Sequence, residues 1–129
     1  MRARLMTALA LMTAAVPPPA LAQEPLRADT VSAAVVAEGK RVFEGKAGGA
    51  LCFSCHGFNA QGMPGVGPNL RDRKWLHGDG TLAFLEKVIK AGVTKPKESA
   101  VPMLPMGGAQ LNDAQVKAVA AYIYSMNSP

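Results

Sequence analysis

Gly49-Ala-Leu-Cys-Phe-Ser-Cys-His-Gly57, the stretch GALCFSCHG, holds both cysteines of the chain. Phe53 and Ser54 separate them, and His56 follows at once. Two thiols and an imidazole this close belong on one short turn, so 51–56 is expected to be helical. Upstream, a helix fits residues 31 to about 44, where Val35, Gly39, Val42 and Phe43 fall on one stripe. The glycine-rich segment 45–50 ends it. Downstream, glycine and proline recur from Gly57 to Gly80, as in GMPGVGPNL, which reads as a long ordered loop. In a small domain such a loop normally wraps something. Thr81 is placed to cap a helix running through Ala91, with Gly92 past its end. Leu82, Leu85, Val88 and Ile89 form its apolar face. A second long loop, 93–111, leads to a last helix capped by Asn112, with Gln115 completing a capping box. Its inner side carries Val116, Val119, Ala120, Ile123 and Met126. No stretch reads as a strand and none repeats. The fold class expected is all-α, three to four helices with long loops around one enclosed group.

The beginning of the sequence has a different character. Arg2 and Arg4 precede an apolar run from Leu5 to Val16, followed by three prolines and Ala20-Leu21-Ala22. That is the layout of a secretory signal peptide over 1–22, so the expected destination is the periplasm. The run is too short to cross a bilayer as a helix, and no later segment is suitable for that. Residues 23–30 read as an exposed leader and 31–129 as one domain. Loss of the signal lowers the formal charge from +5 to +3. A charge so small, with no arginine-rich aromatic platform, makes no case for nucleic acid. A mature chain of 107 residues has a limited apolar core and gains from a disulfide, a metal or a cofactor.

Four chemistries use Cys-x-x-Cys-His. Two thiols can add across the vinyl groups of a haem while the imidazole reaches its iron. A zinc site wants four ligands and finds too few here. A thioredoxin-like redox pair wants a βαβ pattern, which is missing. A structural disulfide is the fourth. The export signal, the all-helical pattern and a methionine-bearing loop favour the first.

The mature chain resembles the class I cytochromes c, the small monohaem family with its haem motif near the N-terminus. GKRVFEGK, CFSCHG, GVGPNL, MLPMGG and LNDAQVKAVAAYIYS occur in that family's order and spacing, across roughly residues 35–126. KWLHGDG adds a weaker likeness to cytochrome c domains attached to respiratory oxidases and dehydrogenases. The resemblance implies one covalent haem c, with thioethers at Cys52 and Cys55 and His56 as proximal ligand. It implies the Pro68 carbonyl as acceptor for the second ring nitrogen, and the distal methionine in the second loop. There the family's register selects Met103. Leu104 stands where proline is usual, which keeps Met106 as the alternative. His77 is a rival ligand that comes too early for the pattern; Met63 lies just before the proximal loop and Met126 on the last helix. Trp75, with Arg71, Arg73 or Lys74, follows the proximal loop and can hold haem propionates. Gly39, Phe43 and Tyr122 resemble the family's helix crossing, a structural role.

The function implied is one-electron transfer with no substrate bond made or broken, between redox protein partners: a donor dehydrogenase or respiratory complex and an acceptor oxidase or reductase. The setting expected is a free periplasmic carrier; the alternative is a haem-bearing subunit bound permanently to a dehydrogenase or respiratory oxidase. Lys90, Lys95 and Lys97 near the second loop read either as a solvated surface run or, as the resemblance implies, as charges that steer an acidic partner.

Overall fold

The computed structural model describes residues 31–127. Residues 1–30, expected to be a signal peptide and a leader, and the last two residues lie outside the described residues. Four α-helices follow in order: α1 (Ala33–Phe43), α2 (Cys52–His56), α3 (Leu82–Ala91) and α4 (Asp113–Ser125). A 3-10 turn, Pro105–Gly108, precedes α4. Among the described residues there is no strand, only isolated bridges between loop residues. The architecture is all-α, as the sequence pattern implies.

The helix ends follow from their caps. α1 begins at Ala33, two residues later than the apolar stripe suggested, because the Ser32 hydroxyl accepts from Val35 N at 3.3 Å. Thr81 caps α3 through its hydroxyl, and Gly92 ends it with φ 69°. Asn112 and Gln115 exchange side-chain and backbone hydrogen bonds at the start of α4, a complete capping box.

α1 and α4 cross at Gly39. A Cβ there would lie 2.5 Å from the Ala118 carbonyl carbon and 2.8 Å from Tyr122 Cβ, so only glycine admits this approach. Phe43 and Tyr122 close the crossing edge to face, ring centres 5.5 Å apart. α4 also packs on α3. The side chains buried between these three helices include Val42, Phe43, Leu85, Ile89, Val119 and Ile123. Val88, expected on the buried face, is only half-buried, because its side of α3 turns toward a cavity.

Candidate functional site

Cys52, Cys55 and His56 stand at i, i+3 and i+4 on α2, which sets all three on one face of the helix. That single turn is held by Ser54, whose hydroxyl donates to Leu51 O at 2.6 Å, and by Gly57 N, which donates to Phe53 O at 2.9 Å. All three side chains line one cavity of about 560 Å³, a size typical of cofactor and ligand sites, about 300–1,000 Å³. The remaining wall comes from every part of the domain: Phe43 of α1, Leu85 and Ile89 of α3, Val119 and Ile123 of α4, and both long loops.

His56 is buried, with 8% of its surface exposed. Its Nδ1 lies 2.9 Å from the Pro68 carbonyl oxygen. A carbonyl only accepts, so Nδ1 carries the hydrogen and donates it. In the neutral ring Nε2 is then left with a bare lone pair. Burial pushes the imidazole pKa below its ordinary value, partly opposed by the bond to Pro68, so the ring is neutral at physiological pH. Pro68 can reach it because the loop lies directly on α2: a Cβ on Gly67 would lie 2.5 Å from the Cys55 carbonyl oxygen. Burial also pushes the Cys52 thiol up to about 11. The two thiols are free of each other.

Met103 lines the same cavity, half-buried, and its backbone is pinned to Val93: each N–H donates to the other's carbonyl, at 2.9 and 3.0 Å. Met106 is half-buried outside the lining, packed against the apolar core, with a left-handed φ of 52°. Met63 is exposed and Met126 ends α4 against the core. Neither lines the cavity. Trp75 does, half-buried, with Phe84 edge to face at 6.5 Å. Of the three cations that follow the proximal loop, only Lys74 lines the cavity, and it is paired with Glu98 at 2.6 Å. Arg71 instead donates to the Asn59 carbonyl at 3.3 Å.

His77 belongs to the cavity wall while remaining exposed. Exposed Leu51, Val101 and Leu104 form an apolar rim of the cavity that no sequence pattern marks. Of the lysines expected to steer a partner, Lys90 is committed to Asp113 at 2.7 Å, while Lys95 and Lys97 are exposed and stand off the cavity.

A haem fits what these residues offer: a largely apolar chamber, two thiols on one wall, a neutral imidazole with a fixed tautomer, and a thioether on a different loop. His56 Nε2 and Met103 Sδ are the donors suited to iron, and Cys52 and Cys55 the anchors. Among the described residues no helix is long and apolar enough to cross a membrane.

Residues 36–127 match the family model described as Cytochrome c. Among curated proteins, a Cbb3-type cytochrome c oxidase subunit FixP of Bradyrhizobium sp. (strain ORS 278) is 36% identical over 78 residues, covering 58% of this chain and 23% of that protein. A Cbb3-type cytochrome c oxidase subunit CcoP of Rhodobacter capsulatus is 38% identical over 76 residues, 58% of this chain and 25% of its own. The CcoP subunit of Azospirillum sp. (strain B510) is 31% identical over 109 residues, 78% and 32% respectively. The chain thus spans about a quarter to a third of the length of these relatives. No solved structure matches significantly. With the haem motif on α2, its proline acceptor and its methionine loop gathered on one cavity, and the family model running across all four helices, the chain belongs to the cytochrome c family.

Proposed function

We propose that this chain is a one-electron transfer domain carrying a single haem c, joined through Cys52 and Cys55 and ligated by His56 and Met103, that serves a respiratory oxidase complex. The observation that carries the reading is the His56–Pro68 hydrogen bond on the wall of a cavity that Met103 also lines. When bound, the haem iron supplies reversible one-electron chemistry. The chain's residues do the rest. Pro68 fixes the His56 tautomer and aims the ring. Met103 contributes a neutral thioether, which favours the reduced state more than a second imidazole would. The apolar walls keep water away. Trp75 and Lys74 stand where an indole N–H and a cation can meet haem propionates.

Of the two settings, the oxidase-bound subunit has the better support, since the curated relatives described above are oxidase subunits. The exposed apolar rim of Leu51, Val101 and Leu104 also favours a lasting contact over transient encounters. The opening segment of the sequence supports export to the periplasm. Tagged protein should therefore co-purify with an oxidase from solubilised membranes; recovery as a free monomer alone would favour the carrier.

The ligation is tested by mass and by spectrum. Wild type should carry one haem that survives acid–acetone extraction. Met103→Ala should lose the weak long-wavelength methionine–iron band of the oxidised protein, lower the potential and bind carbon monoxide when reduced. If Met103→Ala keeps the band and Met106→Ala loses it, the distal ligand is Met106.

A further inference from the structure

Building on the proposed ligation by His56 and Met103, we propose that Ser99 is a positioning residue: it ties the loop that orients His56 to the loop that carries Met103, and so holds the methionine at the iron. The bonds form a continuous belt. The segment 93–103 is a loop closed at its base by the paired backbones of Val93 and Met103. At the other end of that loop the Ser99 hydroxyl donates to Val66 O at 2.6 Å and accepts from Val101 N at 3.0 Å. Beside it, Ala100 N donates to Gly65 O at 3.1 Å. Gly65 and Val66 are a firm anchor, because they sit in a tight turn. Met63 and Gly67 exchange backbone hydrogen bonds across that turn, at 2.9 and 3.0 Å. Gly67 rests on Cys55, and Pro68, next along the chain, accepts from His56. The route from one axial donor to the other therefore runs from His56 through Pro68 to Val66, across the Ser99 bond, and along the loop to Met103.

The geometry explains why a hydroxyl is needed at this point. The backbones of 65–66 and 99–100 meet only at an isolated bridge, so no sheet supports the joint. A serine that donates to one loop and accepts from its own turns a single backbone contact into a cluster of three bonds. The Lys74–Glu98 pair spans the same two loops, but both side chains are more than half exposed, so it adds little holding power. Without the Ser99 bond the 94–102 arc keeps its Val93–Met103 base but meets the proximal loop through the lone Ala100–Gly65 backbone bond and the exposed Lys74–Glu98 pair. Met103 can then leave the iron with less of the structure opening.

The test is made on the holoprotein. In the oxidised wild type, imidazole added to solution competes with Met103 and extinguishes the methionine–iron band. The concentration for half-loss measures how readily the methionine leaves. Ser99→Ala removes one donated and one accepted hydrogen bond, and half-loss should then need about threefold to tenfold less imidazole. Amide hydrogen exchange at Ala100 should accelerate in parallel. Ser125→Ala is the control: its hydroxyl donates to Tyr122 O at 2.7 Å on α4, so it also costs a hydrogen bond, but it should leave the imidazole midpoint unchanged. A wild-type midpoint in Ser99→Ala, with the band present, overturns the proposal, even if Ala100 exchanges faster. An equal fall in Ser125→Ala overturns it too, because the effect would then be one of general stability. Absence of the band from wild type would instead overturn the ligation on which the proposal rests.

Discussion

Gly39→Ala adds one methyl group at the tightest point of the fold. In an exposed helix interior the same change stabilises by about 1 kcal/mol, because alanine is the better helix former. Here the sign should reverse. The new Cβ would overlap the Ala118 carbonyl oxygen, sit 2.5 Å from its carbon and 2.8 Å from Tyr122 Cβ. Non-bonded carbons rest at about 3.5–4.0 Å, so α1 and α4 must part by about 1 Å. The obstacles are the backbone of α4 and a Cβ bound to it, which no rotamer change removes. A gap of that width forfeits about a quarter to a half of each facing dispersion contact. Val42 and Phe43 are fully buried nearby and have no slack to refill it. Overpacking of this kind costs about 3 kcal/mol. Set against the helix-propensity gain, the net loss is about 2 kcal/mol, which lowers the thermal midpoint of a domain this size by about 8–16 °C. Guanidinium and thermal unfolding of the holoprotein, followed by far-ultraviolet circular dichroism, measure it directly. A midpoint equal to or above that of wild type would refute the crossing at Gly39.

Gly80→Ala would press a methyl into the Trp75 indole at a position with φ 74°, so it should cost about 1–3 kcal/mol and alter the haem-region circular dichroism as Trp75 leaves the cavity wall. Met106→Ala should keep the methionine–iron band and lower stability by about 1–3 kcal/mol, less than for a fully buried methionine. Met106→Gly should be more stable than Met106→Ala by about 1 kcal/mol, since glycine suits φ 52°; the opposite order in denaturant melts would contradict that backbone. In acid, Glu44, paired with Lys40 and Lys46, has its pKa lowered from an ordinary 4.5. Asp79 and Asp113 are lowered from an ordinary 3.8, by hydrogen bonds from the Thr81 backbone and from Lys90 respectively. Depressed carboxylates contribute stability that is present above the unfolded-state value and lost as pH falls through the folded one. The thermal midpoint should therefore decline from about pH 4.5 downward, more gently in Lys90→Met, which has no Asp113 pair to lose.

What could be read from the sequence was local. Thr81, Asn112 and Gln115 announce two helix starts because a cap needs only a side chain and the next turn's N–H groups. Gly39, Phe43 and Tyr122 were legible as a crossing through family likeness, and the structure joins them. The Cys-x-x-Cys-His spacing marked Cys52, Cys55 and His56, an indole N–H after the proximal loop marked Trp75, and family likeness marked Pro68 and Met103; all six line one cavity. Ser32 is not legible as a cap, because the expected helix already begins at Val31. The pairings Lys74–Glu98, Lys90–Asp113 and Ser99–Val66 were not legible, since each joins residues more than twenty positions apart and depends on how separate segments pack. Lys90, expected to meet a partner, instead ties α3 to the start of α4. The left-handed Met106 has no composition signal either, since that conformation normally selects glycine.

The pairing of the first helix with the last has a mechanical consequence. Any segment joined to either end of the domain, as in the longer relatives, pulls on α1 or α4, which are locked together at the Gly39–Ala118 joint. At the α4 end the Asn127 side chain also donates to Leu70 O at 2.6 Å, which ties that end to the loop carrying Pro68. A tug from a neighbouring domain is therefore shared between the interlocked backbones of the crossing and the loop that orients His56.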